Sequence, residues 1–283
     1  MKISIDMPQM AANGLSENWL FKQNGNRHWQ TLCESVGKQS SDLVNDTNQR
    51  LYPTFVAISS RYSRPLSHFA ENSTLEDSVE LSHFGRSFFC STVRLAASDA
   101  VIEQKMITAF VARIKEGKNE LKKSAPATSL VYRASELTAS PVLLAQSKLL
   151  RKGILATYEI AGRTIEIKKE GLNLARRYEP SPYTDFNGAN LLYFASYPTI
   201  CDTNERLLVQ EHSLVATAKD WSLAYSTTAR DVYYYRNLDI GEAVLVRLNH
   251  FTALDGEIAI HTSLLAEKDG LPIAEIFTIK SSC

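Results

Sequence analysis

Two stretches of this chain match each other at one constant spacing, and a repeat of that kind limits the fold to a unit that can be built twice. The first reads Pro8-Gln9-Met10-Ala11-Ala12-Asn13-Gly14-Leu15-Ser16-Glu17-Asn18-Trp19-Leu20, and the second Pro182-Tyr183-Thr184-Asp185-Phe186-Asn187-Gly188-Ala189-Asn190-Leu191-Leu192-Tyr193-Phe194. Pro, Asn-Gly and an aromatic-apolar pair recur 174 residues apart. A second echo joins Leu81-Ser82-His83-Phe84 to Leu248-Asn249-His250-Phe251 at a spacing of 167. Asn-Gly is a common turn dipeptide, but two echoes in one order point to duplication. With 283 residues, 44% of them hydrophobic, the chain has material for two domains of about 140 residues. The expected division is 1–140, with the connection included, and 141–283.

Each half shows the same coarse plan. A helix is expected over Glu17–Val36 and again from Leu191 to about His212, apolar and aromatic nearly all round and therefore buried. β-branched and aromatic runs follow: Tyr52–Ser59, Leu75–Phe84, Arg86–Leu95 and Ile107–Ile114, then Ser213–Ala224, Arg230–Tyr235, Ala243–Phe251, Glu257–Leu265 and Ile273–Ile279. Asp255-Gly256 and Asp269-Gly270 are hairpin turns, and Ile154–Tyr158 with Thr164–Lys168 flank a further turn at Gly162. The Lys-, Ser-, Ala- and Pro-rich stretch from Glu116 to Pro141 reads as the connection. One long buried helix followed by an antiparallel meander is an α+β plan.

Composition excludes several functions. Thirty-one basic residues balance thirty-one acidic ones, so no global field draws nucleic acid or an anionic membrane. Cys33, Cys90, Cys201 and Cys283 form no CxxC pair, which fits a reducing cytoplasm. The N-terminus lacks a signal-peptide apolar region, and no run is long enough to span a membrane. Six histidines without HxH, HxxxH or HExxH spacing give no metal site, and neither a P-loop nor a GxSxG elbow is present.

The second-half stretch Asn187-Gly188-Ala189-Asn190-Leu191-Leu192-Tyr193-Phe194-Ala195-Ser196-Tyr197-Pro198, with Asp202 after it, resembles the helix-start motif of hot-dog acyl-CoA thioesterases, which usually has an acidic residue where Asn187 stands. The first-half stretch Gly14-Leu15-Ser16-Glu17-Asn18-Trp19-Leu20, with His28-Trp29 and Arg50-Leu51-Tyr52, resembles the LnmK-like family of polyketide and antibiotic biosynthesis. That resemblance implies a double hot-dog fold, two tandem units each with an antiparallel sheet wrapped round a long central helix. It also implies a bifunctional acyltransferase/decarboxylase that takes methylmalonyl from coenzyme A, passes it to the phosphopantetheine thiol of an acyl carrier protein, and leaves a propionyl thioester there. The family's essential tyrosine matches Tyr52. Acyl-CoA and the carrier protein are the implied partners, homo-oligomerisation is compatible with them, and no cofactor beyond the thioester substrate is implied.

The residues themselves bear on this chemistry. A thioester carbonyl at a helix start meets unpaired N–H groups and the positive end of the dipole. Gly14 and Gly188 would admit close backbone approach, while Asn13, Asn187 and Asn190 could hydrogen-bond a carbonyl or carboxylate. Decarboxylation of a malonyl-type thioester needs oxyanion donors, each worth about 3–4 kcal/mol. Hydrolysis needs a carboxylate; Asn187 is none, although Asp185 and Glu17 stand near. Tyr52 has two open roles: as acyl acceptor, at the cost of ionising a phenol, roughly 4 kcal/mol at neutral pH, or as hydrogen-bond donor. Each assignment has a plainer counterpart. The Asn-Gly steps could be helix-capping turns, Tyr52 a core-edge aromatic, His28 a satisfied core histidine, and His83 with His250 an equivalent structural pair. The run Arg113, Lys115, Lys118, Lys122, Lys123 could dock coenzyme A phosphates or be a solvated face. A thioesterase, a dehydratase and a non-catalytic thioester-binding module of the same fold are the rival functions.

Overall fold

The computed structural model describes residues 2–115, 118–167, 171–215 and 221–282. The first half begins with short strands β1 (Lys2–Ser4), β2 (Met10–Ala11) and β3 (Gly14–Leu15), then helix α1 (Glu17–Val36) and strands β4 (Tyr52–Tyr62), β5 (Thr74–Phe84), β6 (Phe88–Ala96) and β7 (Val101–Arg113). Two strand fragments, β8 (Leu121–Lys123) and β9 (Ser135–Glu136), and helix α2 (Val142–Arg151) lie in and after the connection. Then come the hairpin β10 (Thr157–Ile160) and β11 (Arg163–Glu166), strand β12 (Leu174–Tyr178), helix α3 (Ser196–Glu211), the single turn α4 (Trp221–Ala224), and strands β13 (Tyr225–Tyr234), β14 (Val244–Leu254), β15 (Glu257–Ala266) and β16 (Pro272–Ser282).

One sheet carries nearly all the long strands, in the order β1-β5-β6-β7-β4-β13-β16-β15-β14-β12, with β8 beside β7 and β9 beside β5. Outward from the centre the first half runs β4, β7, β6, β5 and the second β13, β16, β15, β14. Connectivity is therefore repeated. The halves join where β4 pairs antiparallel with β13, from Ala57 opposite Tyr233 to Arg61 opposite Ala229. Both central strands carry a bulge at matching places: the register against β7 shifts between Phe55 and Ala57, and that against β16 between Thr227 and Ala229, each 172 residues later.

That spacing corrects the two sequence echoes. His83 stands in the second pair from the β5–β6 turn, opposite Phe89, whereas His250 stands in the fifth pair from the β14–β15 turn, opposite His261. They are not equivalent. Trp19 lies in the first turn of α1, but Tyr193 lies three residues before α3. Among the described residues the expected strand Ser213–Ala224 does not form: 213–215 are not strand, Trp221–Ala224 is helical, anchored by the Trp221 indole donating to Arg206 O at 3.3 Å, and 216–220 lie outside the described residues. The strand expected from Arg230 begins at Tyr225. Lys168, assigned to the Gly162 hairpin, is likewise outside the described residues, as are Glu116 and Gly117 of the connection.

Local chemistry sets the helix ends. Ser16 Oγ accepts from Trp19 N at 3.2 Å to start α1, and Gly37, in the left-handed region at φ 62°, donates to Cys33 O and Glu34 O to stop it. The second helix starts at Ser196 rather than Leu191 because Asn187 Oδ1 captures the N–H groups of Ala189 (2.9 Å) and Leu191 (3.1 Å) while Asn190 turns left-handed. Neither helix is buried all round. In α1 the buried residues Leu20, Phe21, Asn24, Gly25, His28, Leu32 and Val36 form one stripe, and Lys22, Asn26, Gln30 and Glu34 face solvent.

Both helices pack on one face of the sheet in a shared core that includes Phe21, Tyr197, Ile200, Phe55, Ile58 and Val232, each large apolar side chain contributing about 2 kcal/mol. The opposite face, at Ala57, Ala229, Tyr233 and Phe277, is covered by the β10–β11 hairpin and α2. Among the described residues, no helix is long and apolar enough to cross a membrane.

His28 is a fully buried member of the core, its ring bonded to Ser91 Oγ (2.7 Å) and Thr108 Oγ1 (2.8 Å). Burial lowers its pKa to about 3, so the folded protein holds a neutral imidazole where the unfolded chain takes up a proton below about pH 6.5. This contribution to stability is complete above that pH and declines as pH falls toward 3. Unfolding free energy measured by urea denaturation is expected to fall by about 1.4 kcal/mol more per pH unit between pH 6 and 4 than in a His28→Asn variant. Equal slopes would contradict the buried neutral state.

Candidate functional site

β13 reaches β4 only as far as Ala57, which leaves Tyr52–Val56 with an unpaired edge. A cavity of about 1050 Å³ opens along it. Tyr52, Thr54 and Val56 from one side of the segment line this cavity, and so do Pro53 and Phe55 from the other. The cavity thus runs through the sheet. Its helix side is aromatic: Trp29 of α1, Phe194 and Tyr197 at the start of α3, Phe55 and Tyr234. Phe194 packs 4.2 Å from Phe55 by ring centroids. Gly25 makes room for it, since a Cβ there would meet Phe194 Cζ at 2.3 Å. Burial raises the pKa values of Tyr197 and Tyr234, and both hydroxyls are engaged, with Arg236 O and Phe194 O. By contrast the Trp29 indole N–H and the Tyr235 hydroxyl, both in the cavity wall, are buried without a partner among the described residues. Such groups are costly to leave unmade, and both can donate to a ligand oxygen.

The other mouth lies by the connection. Tyr52 sits directly opposite Val111 of β7, which in turn sits opposite Lys123 of β8. Guanidinium groups of Arg50 and Arg113 lie 5.1 and 5.2 Å from the Tyr52 ring centroid. Arg113 also donates to Ala189 O, and Asn119 to Asn190 O. These contacts bind the Asn187–Asn190 turn to the Tyr52 end of β4. Among the described residues, three of the four carboxylates lining the mouth are held in ion pairs, Lys118–Asp239 (3.3 Å), Arg236–Asp269 (2.9 Å) and Lys268–Glu242. Lys115, Lys123, Lys148 and Arg151 remain against Glu120. No carboxylate of the described residues lines the cavity among the aromatics.

The corresponding gap at the other end of the junction is sealed. There the first turn of α1 supplies Glu17, which takes Arg230 of β13 at 2.9 Å and the Tyr62 hydroxyl at 2.9 Å. Arg230, wholly buried, also holds both oxygens of Asp202 at 2.9 Å, and Lys280 reaches Asp202 at 2.7 Å. Ser67 N donates to Ser226 Oγ across the same gap. Burial alone would raise the Asp202 pKa, but Arg230 and Lys280 outweigh it and hold it at about 2. At the bulge-matched position of Arg230 the first half has Ile58.

Comparison with solved structures extends over the whole chain. A putative oleoyl thioesterase from Lactobacillus plantarum matches with a TM-score of 0.68 over 100% of this chain and 94% of its own, at 10% identity. The 12:0-ACP thioesterase from Umbellularia californica gives 0.61 over 100% and 96%, at 8% identity. An acyl-ACP thioesterase from Bacteroides thetaiotaomicron gives 0.59 over 99% and 96%, at 9% identity. The chain has the hot-dog thioesterase fold. At such identities the likeness is one of fold. No model of a protein family matches the chain, and no curated protein is similar to it in sequence.

Within this hot-dog structure, Tyr52 and Asn187 line one cavity, and Asn190 closes the turn beside it at φ 56°. Asn187 uses its side-chain oxygen to hold that turn, leaving only its amide N–H for a ligand. Asn13 and Gly14 are elsewhere. Asn13 donates to Ser222 O at 3.5 Å, and Gly14, at φ 118°, is needed because a Cβ would strike Leu66 O and Ser67 Cα at 2.4 Å. Its freedom serves backbone packing rather than a ligand. Gly188 has neither a positive φ nor a neighbour within 4 Å of a would-be Cβ. Asp185 is occupied structurally, accepting from Tyr178 OH (2.9 Å) and Ser181 N (2.8 Å). Sequence reading missed Phe55, Phe194 and the α2 face Leu144, Ser147, Lys148 and Arg151. The spacing i, i+3, i+4, i+7 on α2 was the available signal.

The two ends of the junction differ in what they tolerate. Arg230→Met leaves Glu17 without its cation and Asp202 with Lys280 alone, and is expected to lower unfolding free energy by about 3–5 kcal/mol. Tyr52→Phe removes a hydroxyl with no hydrogen-bond partner among the described residues and should stay within about 0.5 kcal/mol. Urea denaturation of both variants checks this, and a Tyr52→Phe loss as large as that of Arg230→Met would show the phenol to be structural.

Proposed function

We propose that the protein is an acyl-thioester enzyme working at the cavity that passes beside Tyr52, and that it is an acyltransferase/decarboxylase moving a methylmalonyl-type group from coenzyme A to a carrier-protein thiol. The chain is then read as a double hot-dog of units 1–140 and 141–283 in which one of two related sites works. The observation carrying this reading is the placement of Tyr52: it stands at the cavity beside two guanidinium groups, with no carboxylate among the described residues lining the aromatic side to serve as a hydrolytic base. Arg50 and Arg113 suit a carboxylated acyl group. Trp29 Nε1, Tyr235 OH and the Asn187 amide are the donors available to an oxyanion.

With Tyr52 as acyl acceptor, its oxygen attacks the thioester carbonyl, the C–S bond breaks, and the phenolic proton leaves with the coenzyme A thiolate. Loss of carbon dioxide passes the electrons of the breaking C–C bond to the acyl oxygen as an enolate, which is reprotonated at carbon. The carrier thiol then attacks the ester carbonyl, and Tyr52 regains a proton. With Tyr52 as donor, its hydroxyl binds the carbonyl oxygen while the carrier thiol displaces coenzyme A directly.

The aromatic wall favours a second reading, hydrolysis or dehydration of an apolar acyl chain on the same arm. Intact-mass measurement of holo carrier protein after incubation with malonyl-, methylmalonyl- and propionyl-CoA separates the two. The expected result is carbon dioxide release and propionyl-loaded carrier from methylmalonyl-CoA, reduced at least 100-fold by Tyr52→Phe. Free acid without carrier loading would establish hydrolysis, and tight binding without turnover a binding module. An acyl adduct on the enzyme itself, lost in Tyr52→Phe, would exclude the donor-only role.

A further inference from the structure

The connection between the halves contributes directly to the cavity mouth. On α2, Leu144 and Ser147 are buried while Lys148 and Arg151 are exposed, and all four line the cavity. Their spacing puts them on one helix face, apolar or small in its first half and cationic in its second. On the facing strand, Lys123 stands two strands from Tyr52 in direct register, about 10 Å away at two interstrand spacings of about 4.8 Å. Its ammonium lies 4.0 Å from the ring centroid of Phe88, another lining residue.

Among the described residues, Lys123, Lys148 and Arg151 form no ion pair, whereas neighbouring Lys118, Arg236 and Lys268 are each matched by a carboxylate. Desolvation, and then the charge of Lys148, lower the Lys123 pKa from its ordinary value. The ammonium groups are close enough to repel, which an anion between them relieves.

We infer that Lys123, Lys148 and Arg151 form a phosphate seat for the far end of a pantetheine arm, gripping the phosphate group that adjoins pantetheine in both coenzyme A and a carrier protein's prosthetic group. The inference rests on the thioester reading above and adds the residues that recognise the arm. The acyl end points past Tyr52 toward the aromatics, and the phosphate stays outside between β8 and α2. A fixed anion site at that distance sets how far the thioester can enter.

The test is equilibrium binding, independent of turnover. Propionyl-CoA, S-propionyl-phosphopantetheine and S-propionyl-pantetheine are titrated calorimetrically into the wild-type chain and into Lys123→Ala and Lys148→Ala/Arg151→Ala variants. Thermal unfolding confirms that each variant folds; Leu144 and Ser147 are left in place. The two phosphate-bearing ligands should lose about tenfold in affinity in either variant, and more than the third on raising ionic strength. S-propionyl-pantetheine should change less than about twofold. Equal losses for all three ligands, or none, would overturn the inference while leaving the thioester reading intact. Sensitivity confined to propionyl-CoA would assign the cations to the nucleotide's phosphates and overturn the shared-phosphate seat. No binding of any ligand to the wild-type chain would overturn both readings.

Discussion

The β4–β13 pairing is the constraint from which the rest of the molecule follows. It joins two half-sheets into one and stops short at both ends, at Ala57 opposite Tyr233 and at Arg61 opposite Ala229. Each end therefore leaves a length of central strand with an unmet edge, and unmet backbone groups need water, a partner or a ligand. One edge is closed by the segment about Ser67 and by the ions around Arg230. The other borders the cavity. The difference comes from a few side chains: a guanidinium buried beside Glu17 and Asp202 fills space and locks its neighbours, whereas Ile58 at the matched position joins an apolar core and leaves the neighbouring gap to aromatics.

Much of the fold was legible in sequence because its signals are local. Ser16 and Gly37 mark both ends of α1 with the chemistry that forms a cap, and most strand boundaries follow from β-branched runs. The echoes pointed to a repeat, and the two halves do share one outward strand order, but in a register the letters did not give. Short letter matches at 174 and 167 were drawn off by local irregularities, the Asn187 turn that delays α3 and the shift between Leu248 and His250 in β14. The backbone keeps its own spacing of 172, written in the two bulges rather than in residue identities.

The site was legible only in part. Tyr52 and Asn187 were both singled out, although 135 residues separate them, and they line one cavity because Arg113 and Asn119 tie the Asn187–Asn190 turn to the first half. Asn13 and Gly14 were carried along by symmetry to an end where packing occupies them. Arg230 gave no signal at all. A single arginine in a strand looks like any other until four elements bring Glu17, Asp202, Lys280 and Tyr62 around it, and long-range charge matching of that kind has no periodicity to read. The connection 116–141 was taken for a linker by composition, which describes solvent preference and says nothing about the strand fragment β8 within it or the short helix α2 just after it, both laid against the mouth.

That helix has a consequence for stoichiometry. Two free units meeting as a symmetric pair would show identical mouths, and whatever covered one would cover the other. A covalent tether occurs once per chain, and α2 can lie across a single mouth. A single covalent connection therefore makes the two ends of the junction unequal whatever their side chains. That α2 covers one mouth per chain is then a property of the covalent topology, and the opposite end of the junction is free to serve as an internal brace.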